Sequence, residues 1–172
     1  MTKTRKMAEC GVAVALAAVL SFIKVWQMPQ GGSVSLVMVP LFLIAYRHGA
    51  LWGMATGVVY SIVAMIIDGV IYHPLSILLD YVLAFGVIGV AGFFKADTKG
   101  ILIGTTVGVA GRFLSSFLSG WLLFASYAPE GQSPFMYSLG YQATYLIPEL
   151  ILNILVLMLV YKKAGHLFKT GK

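Results

Sequence analysis

The chain has 172 residues, of which 59% are hydrophobic and only 10% are charged. Soluble globular domains carry roughly 25% charged residues, so this composition excludes a water-soluble protein. The net charge of +6 does not indicate nucleic-acid binding, because the basic residues are scattered in loops and tails beside apolar runs. The single cysteine, Cys10, excludes an intrachain disulfide.

Six apolar runs follow one another along the chain, separated by short polar breaks. Most approach or exceed the roughly 18 to 20 residues that cross a ~30 Å hydrocarbon core, so each predicts a membrane-spanning helix. The runs are Met7–Ile23, Val34–Tyr46, Ala50–Ile67, Leu75–Phe94, Ile101–Phe124 and Tyr137–Tyr161. The sequence therefore predicts an all-α fold, one polytopic domain over residues 1–172 with six transmembrane helices.

The breaks between the runs contain residues that end helices. The first run follows a basic leader as a signal peptide does, but its length favours a retained helix. The Gly-rich stretch Gln27–Ser33 predicts a loop, and Pro40 predicts that the short second helix is tilted or kinked. The pairs Asp68–Gly69 and His73–Pro74 mark the loop between the third and fourth runs.

The basic residues predict the orientation in the membrane. Ten of the twelve lie on one side of the six-span arrangement, whereas Lys24 lies on the other side and Arg112 inside a span. The ten are Lys3, Arg5, Lys6, Arg47, Lys95, Lys99, Lys162, Lys163, Lys169 and Lys172. The positive-inside rule therefore predicts cytoplasmic termini, with the loops around Gly31 and Pro129 outside.

The chain contains no recognisable enzyme motif. It has no phosphate-binding loop, no H-E-x-x-H, no Cys/His metal spacing and no nucleophile elbow, so no cofactor or metal is predicted. The histidines, His48, His73 and His166, lie at span ends or in the tail. A membrane enzyme acting on an isoprenoid or lipid head group is an alternative without support, and an accessory membrane protein without a ligand is another.

Asp80 is an acidic residue inside an apolar run. It lies five residues into the fourth run, which places it roughly 8 Å below the outer surface at ~1.5 Å per residue. A carboxylate at that depth indicates either a cationic or amidine-like ligand, or a protonated acid bonded to a neighbouring helix. The residues alone leave both readings open.

Aromatic residues are concentrated at the predicted outer side. They are Trp26, Tyr81, Trp121, Phe124, Tyr127, Tyr137, Tyr141 and Tyr145. Each one alone is typical of an interfacial aromatic belt. Together with Ser116, Gln142 and the acid described above, they supply stacking rings and hydrogen-bonding groups for a planar cationic heterocycle.

The last run carries a regular tyrosine stripe. Tyr137, Tyr141 and Tyr145 recur at every fourth residue, and the same helical face continues to Glu149 and Asn153. A lipid-facing stripe would not end in a carboxylate. This face is therefore predicted to point into the bundle.

Arg112 and Glu149 are predicted to form an ion pair. Each lies twelve residues from the outer end of its run, or roughly 18 Å deep, in neighbouring antiparallel helices. Two unpaired charges at that depth would be costly, so the predicted role is structural rather than ligand contact.

The first run contains small residues at four-residue spacing. Ala13 and Ala17 form a flat surface on which another helix can pack closely. The spacing does not distinguish packing within the chain from docking of an external partner.

Several motifs are spread in order over almost the whole chain. They are Met28–Leu36, Arg47–Gly49 with Trp52–Gly53, Leu79–Phe85, Gly111–Phe113, Ser126–Gly131, Tyr137–Leu139 and Pro148–Glu149. The set resembles the thiamine-specific S component of energy-coupling factor (ECF) transporters. The resemblance implies a protein in the cell membrane of a bacterium that captures thiamine from outside. It also implies a transmembrane coupling subunit and two ATP-binding subunits as partners, which fits the missing ATP motif.

The resemblance also implies roles for individual residues. The family's binding positions match Asp80, which would engage the aminopyrimidine, and Tyr81, Phe124, Tyr137 and Trp26. The family's alanine motif for docking the coupling subunit matches Ala13 and Ala17.

Two positions depart from the family pattern. Ser116 stands where a histidine is common, and Gln142 stands where an asparagine is usual. Serine is shorter and cannot carry charge. Thiamine remains the predicted ligand despite these two departures, and a precursor such as a hydroxymethylpyrimidine stays open.

Overall fold

The computed structural model describes residues 2–68 and 73–169, and this part of the chain folds into six helical segments and one short hairpin. The segments are α1 (Lys3–Ser21), β1 (Lys24–Gln27), β2 (Ser33–Ser35), α2 (Met38–His48), α3 (Ala50–Asp68), α4 (Pro74–Phe93), α5 (Thr98–Leu123) and α6 (Pro134–Ala164). Short 3-10 turns follow α5 at Ala125–Tyr127 and α6 at Gly165–Phe168. The predicted loop at Gly69 and the predicted tail residue Lys172 lie outside the described residues.

Four of the helices are long and apolar enough to cross a membrane, counting only the described residues. Their apolar spans are Ala50–Ile67, Pro74–Phe93, Thr98–Leu123 and Pro134–Phe168. The prediction of a polytopic helical membrane protein is therefore confirmed. The predicted bounds of the fifth and sixth helices agree with α5 and α6 to within three residues.

The first two helices differ from the other four. α1 has 19 residues, but its first turns carry Lys3, Arg5, Lys6 and Glu9. α2 has only 11 residues, or about 16 Å of helix, roughly half of the hydrocarbon thickness. α2 is apolar and buried on nearly all sides, packed against α1, α3, α4 and α6.

The predicted loop between the first two helices contains an antiparallel hairpin. Trp26 of β1 lies opposite Val34 of β2, and the chain reverses through Gly31 and Gly32, whose φ angles are +93° and +85°. Residues other than glycine rarely adopt these angles. Because the hairpin extends to residue 35, the second helix begins at Met38 and not at Val34 as predicted.

The prediction of a tilt or kink rested on Pro40 being in the middle of the second apolar run, but the structure places Pro40 near the start of α2. Pro40 is the third residue of α2 and lies in its first turn. The N–H groups of a first turn have no partner inside the helix, so a proline there removes no helical hydrogen bond. A proline kink therefore has no cause at this position.

α4 changes its helical type along its length. It starts with one α-helical turn, continues as a π-helix over Ile77–Leu83 and ends as a 3-10 helix over Val87–Phe93. Its second half packs tightly on α3, where a Cβ added to Gly53 would lie 2.9 Å from Gly89 Cα. Small residues therefore fix the second half of α4 to its neighbour, and the π-helix lies in the first half.

Ala13 and Ala17, which were predicted to dock a partner subunit, do not lie on the surface of this structure. Their exposed fractions are 6% and 0%, because this face of α1 packs on α2 and α3. Of the two readings left open by the spacing, internal packing is the one observed. Gly11 and Ala15, also four residues apart, are exposed on the rest of α1.

An ionic cluster joins the first turns of α1, the end of α2 and the segment after α6. Arg47 of α2 pairs with Glu9 of α1 at 2.6 Å, and His48 Nε2 lies 2.7 Å from the same carboxylate. The Arg47 Nη1 group also donates to the carbonyl oxygens of His166, Leu167 and Lys169. This end of the bundle is therefore closed by hydrogen bonds between its first, second and last segments.

Candidate ligand-binding site

A cavity of about 510 Å³ lies between the hairpin and helices α3 to α6. Small-molecule sites commonly measure roughly 300–1,000 Å³, so the cavity has room for a vitamin-sized ligand. Seven of the eight residues predicted to bind a ligand line it. They are Asp80, Tyr81, Ser116, Phe124, Tyr137, Gln142 and Tyr145.

Trp26 is the predicted binding residue that the structure does not bring to the cavity. It lies in β1, where all four residues are exposed, and its exposed fraction is 57%. The neighbouring residues Lys24 and Gln27 line the cavity, whereas Trp26 does not. Trp26 is therefore not part of the cavity wall in this structure, and its role in ligand binding stays a prediction.

The π-helix of α4 brings Asp80 to the cavity wall. Its Oδ2 atom accepts a hydrogen bond of 2.5 Å from the Ser119 hydroxyl of α5. Ser115, one turn earlier on α5, donates to the carbonyl oxygen of Leu79 at 2.6 Å. Both serines were missed in the sequence, although their four-residue spacing beside Ser116 was a readable signal of a polar face.

The predicted tyrosine face lies against the cavity and the hairpin. The rings of Tyr137 and Tyr141 are 5.9 Å apart between centroids, and those of Tyr141 and Tyr145 are 6.3 Å apart. Tyr137 and Tyr141 reach the hairpin turn, where Gln30 donates and accepts hydrogen bonds. Gln30 was not predicted, and its position between Pro29 and Gly31 in a turn was the available signal.

Gln142 links helices α5 and α6 beside the cavity. Its Nε2 group donates to the carbonyl oxygen of Ser116 at 3.1 Å, and its Oε1 atom accepts a hydrogen bond from the Tyr145 hydroxyl. Gly120 permits this close approach, because a Cβ there would lie 3.2 Å from Ser138 Cβ and 3.4 Å from Gln142 Nε2. The amide of Gln142 therefore supports the wall as well as lining it.

Aromatic rings from two further segments complete the wall. Phe124 caps the end of α5 and lies 5.9 Å from the ring of Tyr127, between centroids. Both line the cavity. Flat rings next to a carboxylate suit a planar ligand that carries positive charge.

Arg112 of α5 and Glu149 of α6 form the predicted pair. Arg112 Nη1 is 3.7 Å from Glu149 Oε2, close enough for an ion pair but too far for a hydrogen bond. Glu149 is fully buried, and its Oε1 accepts a hydrogen bond of 3.0 Å from Ser35 of β2. Asn153, one turn further along α6, donates to the Glu149 carbonyl oxygen at 2.7 Å.

Arg112 also lines the cavity, which its predicted structural role did not include. The guanidinium lies 4.5 Å from the centre of the Phe85 ring, and within the described residues its Nε and Nη1 atoms have no hydrogen-bond partner. The equal depth of Arg112 and Glu149 in their runs predicted the pair. It could not show that Arg112 also faces the cavity. Metal ligands are not grouped here, since residues 2–68 and 73–169 contain no cluster of three His, Cys, Asp or Glu side chains.

Comparison with known proteins identifies the family. The family model described as thiamine transporter protein matches residues 7–169. The chain belongs to this family. A thiamine transporter family member is not an enzyme, in agreement with the absence of enzyme motifs in the sequence.

Two relatives of the thiamine transporter family are similar over nearly their whole length. The chain is 37% identical to thiamine transporter ThiT of Bacillus subtilis, over 97% of this chain and 95% of the relative. It is 25% identical to thiamine transporter ThiT of Lacticaseibacillus paracasei, over 95% of this chain and 91% of that one.

Two solved structures share the fold. ThiT from Listeria monocytogenes superposes with a TM-score of 0.89 at 22% identity, over 98% of this chain and all of that one. An S component of a bacterial ECF transporter superposes with a TM-score of 0.68 at 18% identity, over 96% and 98% of the two chains. The fold of this thiamine transporter family member is thus that of a known S component.

Proposed function

We propose that the protein is the thiamine-binding S component of an ECF transporter and captures thiamine from outside a bacterial cell. The observation that carries the proposal is the position of Asp80, an acceptor on the cavity wall beside aromatic rings, in a chain of the thiamine transporter family. Thiamine is a planar aminopyrimidine joined to a cationic thiazolium ring. A carboxylate accepts from the amino group, and aromatic faces attract the cation.

The charges of the site support this ligand. Asp80 lines the cavity directly, whereas Glu149 is buried behind it and pairs with Arg112. The positive charge of Arg112 is therefore offset by Glu149, and Asp80 is available to a cationic ligand. Tyr137 of α6 and Phe124 at the end of α5 both line the cavity and add aromatic rings to its wall.

The proposed partners are a transmembrane coupling subunit and two ATP-binding subunits. One solved structure with this fold is the S component of a bacterial ECF transporter, and the sequence of this chain contains no phosphate-binding loop. The exposed face of α1 around Gly11 and Ala15 offers a close-packing surface for a partner helix. We further propose six spans and cytoplasmic termini, supported by the ten basic residues that share one side.

Thiamine titration of the detergent-purified protein tests the proposal, with binding followed by the fluorescence of its three tryptophans. We expect sub-micromolar affinity. Asp80→Asn should weaken binding by about 1.5–3 kcal/mol, the range for a hydrogen bond to a charged group. Asp97→Asn is the matched control, because Asp97 caps α5 outside the cavity and asparagine caps equally well.

A pyrimidine precursor is the second candidate ligand, favoured by Ser116 at a position where the family often has a histidine. The same titration with hydroxymethylpyrimidine separates the two. Binding of the pyrimidine alone, without a response to thiamine, would contradict the first proposal and support the second.

A further inference from the structure

Two buried serines of α5 contact the π-helix of α4. Ser115 and Ser119 are four residues apart and therefore lie on one face of α5, with exposed fractions of 8% and 0%. Ser115 donates to the main-chain carbonyl of Leu79, and Ser119 donates to the side chain of the next residue, Asp80. The pair thus holds one short stretch of α4 through its backbone and through its carboxylate.

The π-helix explains why this stretch needs support. A π-helix is wider than an α-helix, is rare, and occurs mostly as short segments at functional sites. Here it covers the seven residues Ile77–Leu83, and none of them is fully buried. Hydrogen bonds from the neighbouring helix fix the local conformation, so the direction of the Asp80 side chain depends on α5.

The Ser119 hydrogen bond also determines what Asp80 can bind. A hydroxyl that donates to a carboxylate favours the ionised form of the acid, which only accepts hydrogen bonds, and here it takes one lone pair of Oδ2. Oδ1 is then the oxygen with both lone pairs left for a ligand. A ligand group that donates N–H fits this oxygen, whereas a carbonyl oxygen at the same place meets an acceptor and loses its hydration without compensation.

From this geometry we infer that Ser119 is a positioning residue that sets the preference of the site for amino-bearing pyrimidines over their oxo counterparts. The inference rests on the proposed function and deepens it. Ser119 acts through Asp80 and does not need to touch the ligand. Loss of the Ser119 hydroxyl should therefore reduce the preference for amino-bearing pyrimidines, and not only the affinity for thiamine.

The test is a double-mutant cycle with two ligands, thiamine and oxythiamine, which carries oxygen in place of the pyrimidine amino group. Ser119→Ala should weaken thiamine binding by roughly tenfold and lower the thiamine-to-oxythiamine affinity ratio by a similar factor. In an Asp80→Ala background the same change should alter thiamine affinity by less than about twofold, because the side chain through which Ser119 acts is already gone.

Ser115→Ala is the matched control. It removes a hydrogen bond to the backbone of the same segment, so it should change the affinity for both ligands alike and leave their ratio unaltered. Ser119→Cys nearly keeps the side-chain volume but offers only a weak donor, and it should reproduce the loss of discrimination even if the alanine variant packs poorly.

The outcomes separate the inference from the function. A wild-type protein that does not bind thiamine would overturn the proposed function. Wild-type binding with the expected Asp80→Asn loss, but an unchanged ligand ratio in both Ser119 variants, would overturn the role of Ser119 alone. Equal effects of Ser119→Ala with and without Asp80 would do the same.

Discussion

The Tyr137 hydroxyl donates a hydrogen bond of 2.6 Å to the side-chain oxygen of Gln30, which lies 107 positions earlier in the chain. Tyr141 adds two contacts of 2.9 Å at the same turn, accepting from the Gln30 N–H and donating to the Gly31 carbonyl. Two tyrosines of α6 therefore hold the hairpin turn over the cavity wall. Gly32 lies so close to Tyr145 that a Cβ there would be 2.7 Å from the ring.

The hairpin turn should control how long a ligand stays bound. Gln30→Ala removes the Tyr137 contact but keeps the two main-chain contacts of Tyr141, so about 1 kcal/mol of hairpin stability is lost. We expect thiamine to dissociate about five times faster, with a smaller change in association. Stopped-flow fluorescence measures both rates. Gln132→Ala, in an exposed turn outside the cavity wall, is the control, and an unchanged dissociation rate for Gln30→Ala would contradict this role of the hairpin.

The pair of Arg112 and Glu149 should contribute to folding. Arg112→Met leaves a fully buried carboxylate without its cation, at an expected cost of ~3 to 5 kcal/mol. Glu149→Gln keeps an acceptor for Ser35 but leaves the guanidinium unpaired, so it should also lower the yield of folded protein. The double variant should recover part of the loss in thermal unfolding monitored by size-exclusion chromatography. A double variant as unstable as the sum of the two single changes would show that the charges do not interact across 3.7 Å.

The exposed face of α1 should be needed for uptake but not for binding. Ala15→Leu adds bulk on the outside of α1, where it contacts nothing required for the cavity. We expect loss of thiamine uptake in cells that contain the partner subunits, with unchanged binding by the purified protein. Ala17→Leu is the contrasting variant, because overpacking a fully buried position should destabilise the fold itself by about 1–3 kcal/mol. Normal uptake by Ala15→Leu would place the docking surface elsewhere.

The long helices could be predicted because each is a long apolar run between polar breaks. α5 ends at Leu123 and α6 begins at Pro134, on either side of strong loop signals. The hairpin could not be predicted in the same way, since strands of four and three residues are too short to show an alternating pattern. The π-helix could not be predicted either, because no spacing of residues in Ile77–Leu83 distinguishes it from an α-helical span.

The site was predictable where a side chain is chemically unusual for a membrane helix. Asp80 and the tyrosine face stood out for that reason, and both reach the cavity. The face of α1 was not predictable, because small residues occur on both sides and only packing shows that Ala17 is inside and Ala15 outside. The spacing of Ser115 and Ser119 indicated a polar face of α5, but the sequence could not show that Asp80 of α4 is the partner of Ser119.

The contacts of Arg47 impose an order on the biosynthesis of the molecule. Its carboxylate partner, Glu9, precedes it in the chain, whereas the carbonyl of Leu167 follows 120 positions later. A nascent chain that has inserted α1 and α2 can therefore form the ion pair at once, but its guanidinium must keep water as a partner until the last segment has been made. When that segment has been made, three backbone carbonyls replace the water. The end of the bundle where α1 begins is therefore completed only after the last segment of the chain has been synthesised.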